Sequence, residues 1–235
     1  MKTRDVLMRL GLGLGLLLLV FALETPTAFA NCRDRPKPGV DWSKCEKERL
    51  ILRGTDLSGA ILKWTDLSMS DMAGANLVGA VLVQANLAVA RLRGANLEGA
   101  DMTKVQGDRT DFEAANLAGV NLSKAELPRA NLTNANLSGA DLTKAELGRA
   151  VFKGANLDGV SLRYAYIARA NFSGVNLARV NLGGAYMLGT RLEGADLSQA
   201  EGLTQQQIEI ACGDDKTKLP NDLQRPAAWP CAEDE

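Results

Sequence analysis

A five-residue period constrains this chain more than any other feature of its sequence. Large apolar residues recur at every fifth position from Leu52 to Leu197 without a change of register. Of the 30 positions in this series, 29 are Leu, Met, Phe or Ile, and only Gly107 departs from the pattern. The residue two positions earlier is usually small, and it is Ala in 19 of the 30 units. Self-similarity at a short, fixed period indicates a solenoid rather than a globular core.

The period of five matches neither the helix repeat of about 3.6 residues nor the two-residue alternation of a strand. Within each unit, however, the small and the large residue are two positions apart, so an extended segment points both to the same side. A turn, often at Gly, must then follow before the next unit. Repetition of a short strand and a corner winds the chain into coils, which must stack by parallel strand pairing to bury their apolar interior.

Many units read Ala, then Asp or Asn, then Leu and two variable residues, as in 75–79. Over residues 48–199 this pattern strongly resembles the pentapeptide-repeat family. The resemblance implies an all-β solenoid, a right-handed quadrilateral parallel β-helix with four pentapeptides per coil. Because Gly107 departs from the family pattern, we expect an outward bulge or a kink in the rod at residues 104–108.

The N-terminus has the features of a secretory signal. Three basic residues precede an apolar run over 10–23, which is followed by the small-residue pattern Ala-Phe-Ala at 28–30. We therefore predict a signal peptide over 1–30 and a periplasmic or secreted mature protein. An uncleaved anchor helix is the alternative, but the run of 14 apolar residues is short for a bilayer span. No membrane span is expected after cleavage.

Both ends of a solenoid expose apolar surface and need caps. We assign an N-terminal cap to 31–47 and a C-terminal helix and tail cap to 200–235. Thr204 followed by Gln207 is the signature of a capping box, which predicts a short capping helix over 205–211. We expect the N-terminal segment to cover some of the apolar residues at outward positions of the first coils, namely Ile51, Ile61, Trp64, Met69, Val81 and Val83. The alternative is that these residues form a partner surface.

Four cysteines in an exported chain predict two disulfides. Two cysteines precede the repeats and two follow them, and a disulfide needs Cα atoms within about 7 Å. Thirty pentapeptides at the family's four per coil give a rod of about 36 Å. Pairing across the rod is therefore excluded, and we predict Cys32–Cys45 and Cys212–Cys231. A metal site is disfavoured because there is no histidine and no closely spaced cysteine pair.

The composition argues against catalysis and against nucleic-acid binding. The chain contains no histidine, the commonest general base and metal ligand. It has 27 basic and 28 acidic residues, so it lacks both the positive excess of a nucleic-acid-binding protein and the strong acidity of a DNA mimic. We predict that the protein is not an enzyme, has no cofactor or metal, and binds no nucleic acid.

If four units make a coil, equivalent residues of successive coils stack on one another. One resulting column has Asn at 76, 96, 116, 136, 156 and 176, and these residues are interpreted as a ladder of stacked amides. Other columns bring together a basic edge that could bind a partner, comprising Arg109, Arg129, Arg149, Arg169, Lys104, Lys124, Lys144, Tyr166 and Tyr186. This edge is either solvated and partly neutralised by Glu126 and Glu146, or an anion-binding groove.

Three hypotheses for function follow. The first is a non-catalytic exported scaffold or protein-interaction module whose partner is an unknown protein or a cell-envelope component. A homodimer formed through one end is a further option. The family resemblance implies a second, because some cytoplasmic members mimic DNA and protect gyrase; the signal sequence and the lack of acidity oppose it. The third is a binder of an anionic ligand or polysaccharide that uses the basic edge.

Overall fold

The computed structural model describes residues 30–231, so the predicted signal up to residue 29 lies outside the described residues. The chain winds as a four-sided β-solenoid in which each coil takes four pentapeptides. Strand segments are so short that each pairs with the next coil through a single parallel β-bridge, as in Asp41–Ile61 and Ile61–Val81. The bridges begin within 31–47, the segment that the sequence assigns to the N-terminal cap. The right-handed sense implied by the resemblance stays a prediction.

Each corner of the coil is a four-residue β-turn that links one large core residue to the next small one. In the turn over 142–145, the Ala145 N–H donates to the Leu142 carbonyl at 3.0 Å. The third residue of this turn, Lys144, has a φ of 61°. A positive φ at this position is the mark of a type II turn, which explains why Gly is frequent there in the sequence.

The interior is a set of side-chain columns that run along the solenoid axis. Its members are almost completely buried, and most of the core leucines have no exposed surface. Phe152 and Phe172 stack with ring centroids 4.4 Å apart. At the N-terminal end, Trp42 enters another column, which continues with Leu62, and its Nε1 donates to the Asp34 carbonyl at 3.1 Å. Short side chains and narrow coils thus give a continuous core with few aromatic residues.

The expectation that residues 31–47 cover outward apolar side chains of the first coils is wrong for Ile51, Trp64 and Met69. Ile51 is 82% exposed, Trp64 is 50% exposed and Met69 is 46% exposed. The physical reason is that residues 40–45 form part of the first coil, so their apolar side chains point into the column instead of folding over its outer surface.

The predicted bulge or kink at Gly107 is also wrong. The Gly107 N–H donates to the Glu126 carbonyl at 2.7 Å, which keeps the ladder in register. A Cβ atom at this position would lie only 2.6 Å from Leu127 Cδ2 and from Thr110 Oγ1, so these neighbours already fill the space. The buried Thr110 hydroxyl in turn donates to the Leu87 carbonyl at 2.8 Å. Neighbouring side chains therefore compensate for the missing one.

The predicted amide ladder forms over part of the asparagine column, from Asn96 to Asn156. The Asn136 side-chain amide donates to Asn116 Oδ1 at 3.1 Å, and that of Asn156 donates to Asn136 Oδ1 at 2.9 Å. Within residues 30–231 the β-bridges of this face are interrupted once, between Asn156 and Asn176. A cleft of about 60 Å³ lies at the interruption.

One α-helix, α1, spans Gln205–Glu209 in the described chain. The predicted capping box is present, because the Thr204 N–H donates to Gln207 Oε1 at 2.9 Å and Thr204 accepts from the Gln207 N–H. The helix ends earlier than the predicted limit at residue 211. The reason is that the Cys212 N–H returns to the ladder and donates to the Thr190 carbonyl at 2.8 Å.

Polar and apolar contacts hold α1 against the last coils. The Gln207 side chain is buried, and its Nε2 donates to the Leu182 and Ala185 carbonyls at 2.8 and 2.9 Å. Ile208 is fully buried, whereas Ile210 is 39% exposed. The part of the chain that the structure describes contains no helix with the length and apolar character needed to cross a bilayer.

Both predicted disulfides are present. The Cα atoms are 5.5 Å apart in Cys32–Cys45 and also in Cys212–Cys231. The first ties the N-terminal segment to the first coil. The second ties the tail to the last coil, where the Trp229 Nε1 donates to the Ala211 carbonyl at 2.7 Å. Each disulfide therefore fastens a terminal segment to its own end of the rod.

Substitution of Leu137 by Asp is expected to prevent folding. Leu137 has no exposed surface, so the carboxylate would be buried in the column without a partner. Asn134→Asp is the matched control because it adds a charge to the same coil at an exposed corner. Circular dichroism and thermal melting compare the two variants. A normal melting curve for Leu137→Asp would contradict the proposed inward position of this residue.

Replacement of Gln207 by Leu is expected to lower the free energy of unfolding by about 2 kcal/mol, because the buried Ala185 carbonyl loses its donor and the Leu182 carbonyl loses one of two donors. Gln206→Leu is the control, since Gln206 is exposed on the same helix. Urea unfolding measures both values. Equal stability of the two variants would show that the Gln207 contacts do not hold α1.

Candidate interaction surface

One face of the solenoid differs from the other three in the residues at its corners. We call it face 2; along the axis it consists of Glu46, Asp66, Asn86, Gln106, Glu126, Glu146, Tyr166 and Tyr186. The lysine edge is the corner before it, with turn residues Lys44, Trp64, Gln84, Lys104, Lys124, Lys144, Tyr164 and Gly184. The arginine edge is the corner after it, with turn residues Arg49, Met69, Val89, Arg109, Arg129, Arg149, Arg169 and Gly189.

Most residues that adopt the left-handed backbone conformation and are not glycine lie on these two edges. Within 30–231, every residue other than glycine that has a positive φ lies on the lysine or the arginine edge, except Ala114 and Asn134. This conformation costs an L-residue roughly 1–2 kcal/mol. Backbone strain of this kind clusters at functional sites, so face 2 is the candidate interaction surface.

The arginine edge has both paired and free cations. Arg109 Nε and Arg129 Nη2 lie 3.1 and 2.7 Å from the carboxylate of Asp108. Burial favours a raised pKa for Asp108, but hydrogen bonds and positive charge from Arg129 and Arg109 outweigh it and lower the pKa. Arg149 and Arg169 form no ion pair with any described residue. These two guanidinium groups are therefore available to an external anion.

The lysine edge carries three successive exposed ammonium groups, on Lys104, Lys124 and Lys144. None of them forms an ion pair among residues 30–231, although Glu126 and Glu146 stand in the adjacent row. Exposed charges at this spacing repel each other only weakly in water, so the row can persist without paired acids. It offers one cation per coil.

Aromatic rings continue the surface toward the C-terminal end. Tyr166 and Tyr186 stack with ring centroids 5.4 Å apart, and each is about half exposed. Glycine allows the rings to lie close to the backbone. A Cβ atom at Gly148 would lie 3.1 Å from the Tyr166 ring, and one at Gly184 would lie 2.6 Å from the Tyr164 ring.

Two open grooves run beside the central row of face 2. The first, of about 480 Å³, follows the lysine edge and is lined by Trp64, Gln84, Lys104, Gln106, Lys124, Glu126, Lys144 and Glu146. The second, of about 400 Å³, follows the arginine edge and is lined by Pro128, Arg129, Gly148, Arg149, Tyr166, Ala168, Arg169 and Leu188. The row that contains Glu126, Glu146 and Tyr166 separates them.

All of the residues that the sequence suggested for a partner-binding edge lie on face 2 or on its two edges. The sequence reasoning did not include Gln84, Tyr164 and Leu188 in this surface, and it placed Trp64 in a separate set of outward apolar residues on the first coils. The signal was available, because Trp64, Gln84 and Tyr164 occupy the same position of the four-unit coil as the predicted lysines.

One acidic group within the described residues has spacing compatible with a metal ion. Carboxylate oxygens of Glu46, Glu48 and Asp66 lie within 4.8 Å of one another. Asp66 already accepts hydrogen bonds from the Ser68 N–H and the Asn86 amide. Burial favours a raised pKa for Asp66, but these hydrogen bonds outweigh it and lower the pKa. Exposed acidic groups are common without an ion, so we assign no metal here.

The parallel coils, the type II corners and the column of leucines define a β-solenoid built from five-residue units. A family model described as pentapeptide repeats matches eight copies, at residues 70–105, 110–149, 135–174 and 170–201. The chain belongs to the pentapeptide repeat family.

Solved structures of the same family are similar over most of this chain. Full-length QnrB1, a plasmid-mediated fluoroquinolone resistance protein, is 20% identical, with 78% of this chain and 86% of QnrB1 covered and a TM-score of 0.42. HetL from the cyanobacterium Nostoc sp. strain PCC 7120, involved in heterocyst differentiation regulation, is 25% identical, with coverages of 79% and 94% and a TM-score of 0.32. A search of curated proteins found no match.

Replacement of Lys124 or Arg149 by Gly is expected to raise the free energy of unfolding by about 0.5–1 kcal/mol, because the left-handed strain is relieved. The reverse change, Gly139→Lys on another corner, is the control. A side chain there meets no atom within 4 Å, so the expected loss of stability reflects backbone strain alone. Urea unfolding measures all three. If neither Lys124→Gly nor Arg149→Gly changed the free energy of unfolding, the account of backbone strain on the two edges would be contradicted.

Proposed function

We propose that this protein is a non-catalytic exported scaffold that binds a negatively charged component of the cell envelope through face 2. The observation that carries this proposal is that residues other than glycine with a strained, positive φ are concentrated on the two edges of one face. A solenoid needs only a glycine at these positions. Side chains there lower stability, so a requirement outside folding is the physical reason for their presence.

Charge supports the same proposal. Along coils 104–169, the lysine and arginine edges together carry seven basic side chains, against three acidic ones at Asp108, Glu126 and Glu146. This region is therefore positive although the whole chain has a net charge of -1. A positive surface attracts and orients an anionic partner. A DNA mimic would need the opposite sign of charge, which argues against the gyrase alternative.

Two features support export. The predicted signal over 1–30 would direct the chain out of the cytoplasm. Disulfides persist mainly in oxidising compartments, and both cysteine pairs have the geometry of a disulfide. We propose a periplasmic or secreted location, and cell fractionation tests it.

We further propose that α1 and the tail act as the C-terminal cap. The buried Gln207 and Ile208 lie on the last coils, and Cys212–Cys231 fastens the tail over them. With the C-terminal end occupied in this way, the sides of the rod are the larger surface left for a partner. Of the four sides, face 2 is the best candidate for binding a partner, because the lysine and arginine edges border it.

An affinity experiment with envelope extract tests the proposal. The bait is protein purified from cells that express the full chain, beside a variant with Arg109, Arg129, Arg149 and Arg169 changed to Glu. The matched control changes Arg53, Arg93, Lys153 and Arg179 to Glu, which alters the same number of exposed charges away from face 2. The thermal melting curve verifies that each bait is folded.

We expect the wild type and the control to retain a partner that the face 2 variant loses. Equal recovery by all three would contradict binding through this face. Failure of every bait to retain a component would count against the binding function itself.

A further inference from the structure

We propose that the ligand of face 2 is a linear acidic polysaccharide of the uronate class, lying along the solenoid axis. The inference rests on the proposed function, in which face 2 is a binding surface, and it adds the chemical class of the partner. Three features of face 2 carry it: the period of its cations, the composition of its central row and the position of its aromatic rings.

The backbone fixes the period of the cations. Lys104, Lys124 and Lys144 provide one ammonium group per coil, and Arg149 and Arg169 provide one free guanidinium group per coil. Paired strands are about 4.8 Å apart, so the charges recur at that spacing. An extended uronate polymer carries one carboxylate per sugar ring, and in a two-fold chain successive carboxylates face opposite sides of the chain. They would meet the lysine edge and the arginine edge in turn, so the carboxylates on each side would be in register with every second coil.

Other acidic polymers fit this period less well. In an extended polypeptide, side chains on the same side recur at about 6.7 Å, which falls out of register with the coils. Duplex DNA carries one charge for each step of about 1.7 Å along its axis, and it would need a denser set of cations. The acidic side chains Glu126 and Glu146 would also oppose so dense an anion.

The central row of face 2 suits a hydroxyl-rich ligand. Gln106, Glu126 and Glu146 are exposed between the cations and line the first groove. Their oxygens can accept hydrogen bonds from sugar hydroxyls, while the adjacent cations bind carboxylates. The core of a protein–protein interface is depleted in Lys and Glu, so a row of these residues at the centre argues against a protein partner.

Exposed aromatic rings stand at both ends of the basic rows. Trp64 is 50% exposed, and its Nε1 is held by Gln84 Oε1 at 3.1 Å. Tyr164 is 56% exposed at the other end, five coils away, which is about 24 Å along the axis. The C–H faces of sugar rings pack on aromatic faces, so these residues would hold the two ends of a bound segment of several sugars.

Titration with polygalacturonate tests the inference, with quenching of tryptophan emission by acrylamide as the signal. Trp64 is the exposed tryptophan, because Trp42 is fully buried and Trp229 is 8% exposed. We expect bound polymer to protect Trp64 from quenching, and Trp64→Phe identifies the origin of the signal. Binding is expected to weaken with salt, because exposed charges are screened.

Two double variants distinguish binding at face 2 from non-specific electrostatic attraction to the whole protein. Arg149→Gln with Arg169→Gln is expected to weaken binding about tenfold or more, the effect of losing one strong contact. Arg53→Gln with Arg93→Gln removes the same charge from another corner and is expected to leave the affinity unchanged. Equal loss in the two pairs would overturn the proposed site, since binding would then follow net charge alone.

Two further polymers decide the ligand class. Neutral dextran is expected to give no protection, and poly-L-glutamate is expected to bind at least tenfold more weakly than polygalacturonate. Binding of poly-L-glutamate that is equal or tighter would overturn the polysaccharide class in favour of an acidic polypeptide. Absence of polygalacturonate binding at low salt would also overturn it. Neither result would affect the envelope experiment, which tests face 2 without assuming a ligand class.

Discussion

The structure depends on the parallel backbone hydrogen bonds that join each coil to the next. In one such pair the Leu142 N–H donates to the Ser161 carbonyl at 2.8 Å, and the Ser161 N–H donates to the Ala140 carbonyl at 3.1 Å. These bonds fix both the register and the rise of the solenoid. All stacked features follow from them, including the leucine columns, the asparagine ladder and the rows of cations.

The interior can accept some polar groups because the same ladder provides their partners. The buried hydroxyls of Thr65 and Thr190 donate to carbonyls of the preceding coil, at 2.7 and 2.8 Å. Within residues 30–231, no buried side-chain nitrogen or oxygen lacks a hydrogen-bond partner. Departures from the repeat are thus tolerated where a neighbouring group supplies the hydrogen bond or fills the space, as Leu127 and Thr110 do at Gly107. This local compensation is what keeps the rod regular along its length.

In the proposed function, folding and binding make conflicting demands on the corners at the two edges of face 2. The type II turn favours glycine at its third residue, and the corner that carries Gly79, Gly99 and Gly119 follows that preference. The two edges of face 2 depart from it with Lys, Arg, Trp, Met and Tyr side chains. The strain and the exposed charge lie on the same surface, so the surface that lowers stability is also the one proposed to bind a ligand.

Much of the fold could be predicted from the sequence because the period determines which residues point inward. The leucine positions, both disulfides and the capping box were predictable for that reason. The path at Gly107 was not, because it depends on how Leu127 and Thr110 fill the space. The first coil was missed because Trp42 and Val40 stand where the repeat usually has Leu and Ala.

For the candidate site, the rows of charge were predictable from the four-unit coil, but the strained edges were not recognised, because φ is a property of the folded turn. Only the structure shows that residues such as Lys124 adopt the left-handed conformation.

Pulsed electron–electron double resonance between spin labels at positions 44 and 164 tests the central claim, which is that four pentapeptides form each coil. Labels introduced as non-natural amino acids leave both disulfides intact. Positions 44 and 164 lie on the lysine edge, six coils apart, which predicts a distance of about 29 Å. A coil of three pentapeptides would place them eight coils apart, at about 38 Å. A distribution centred on the longer distance would contradict the stacking that assembles face 2.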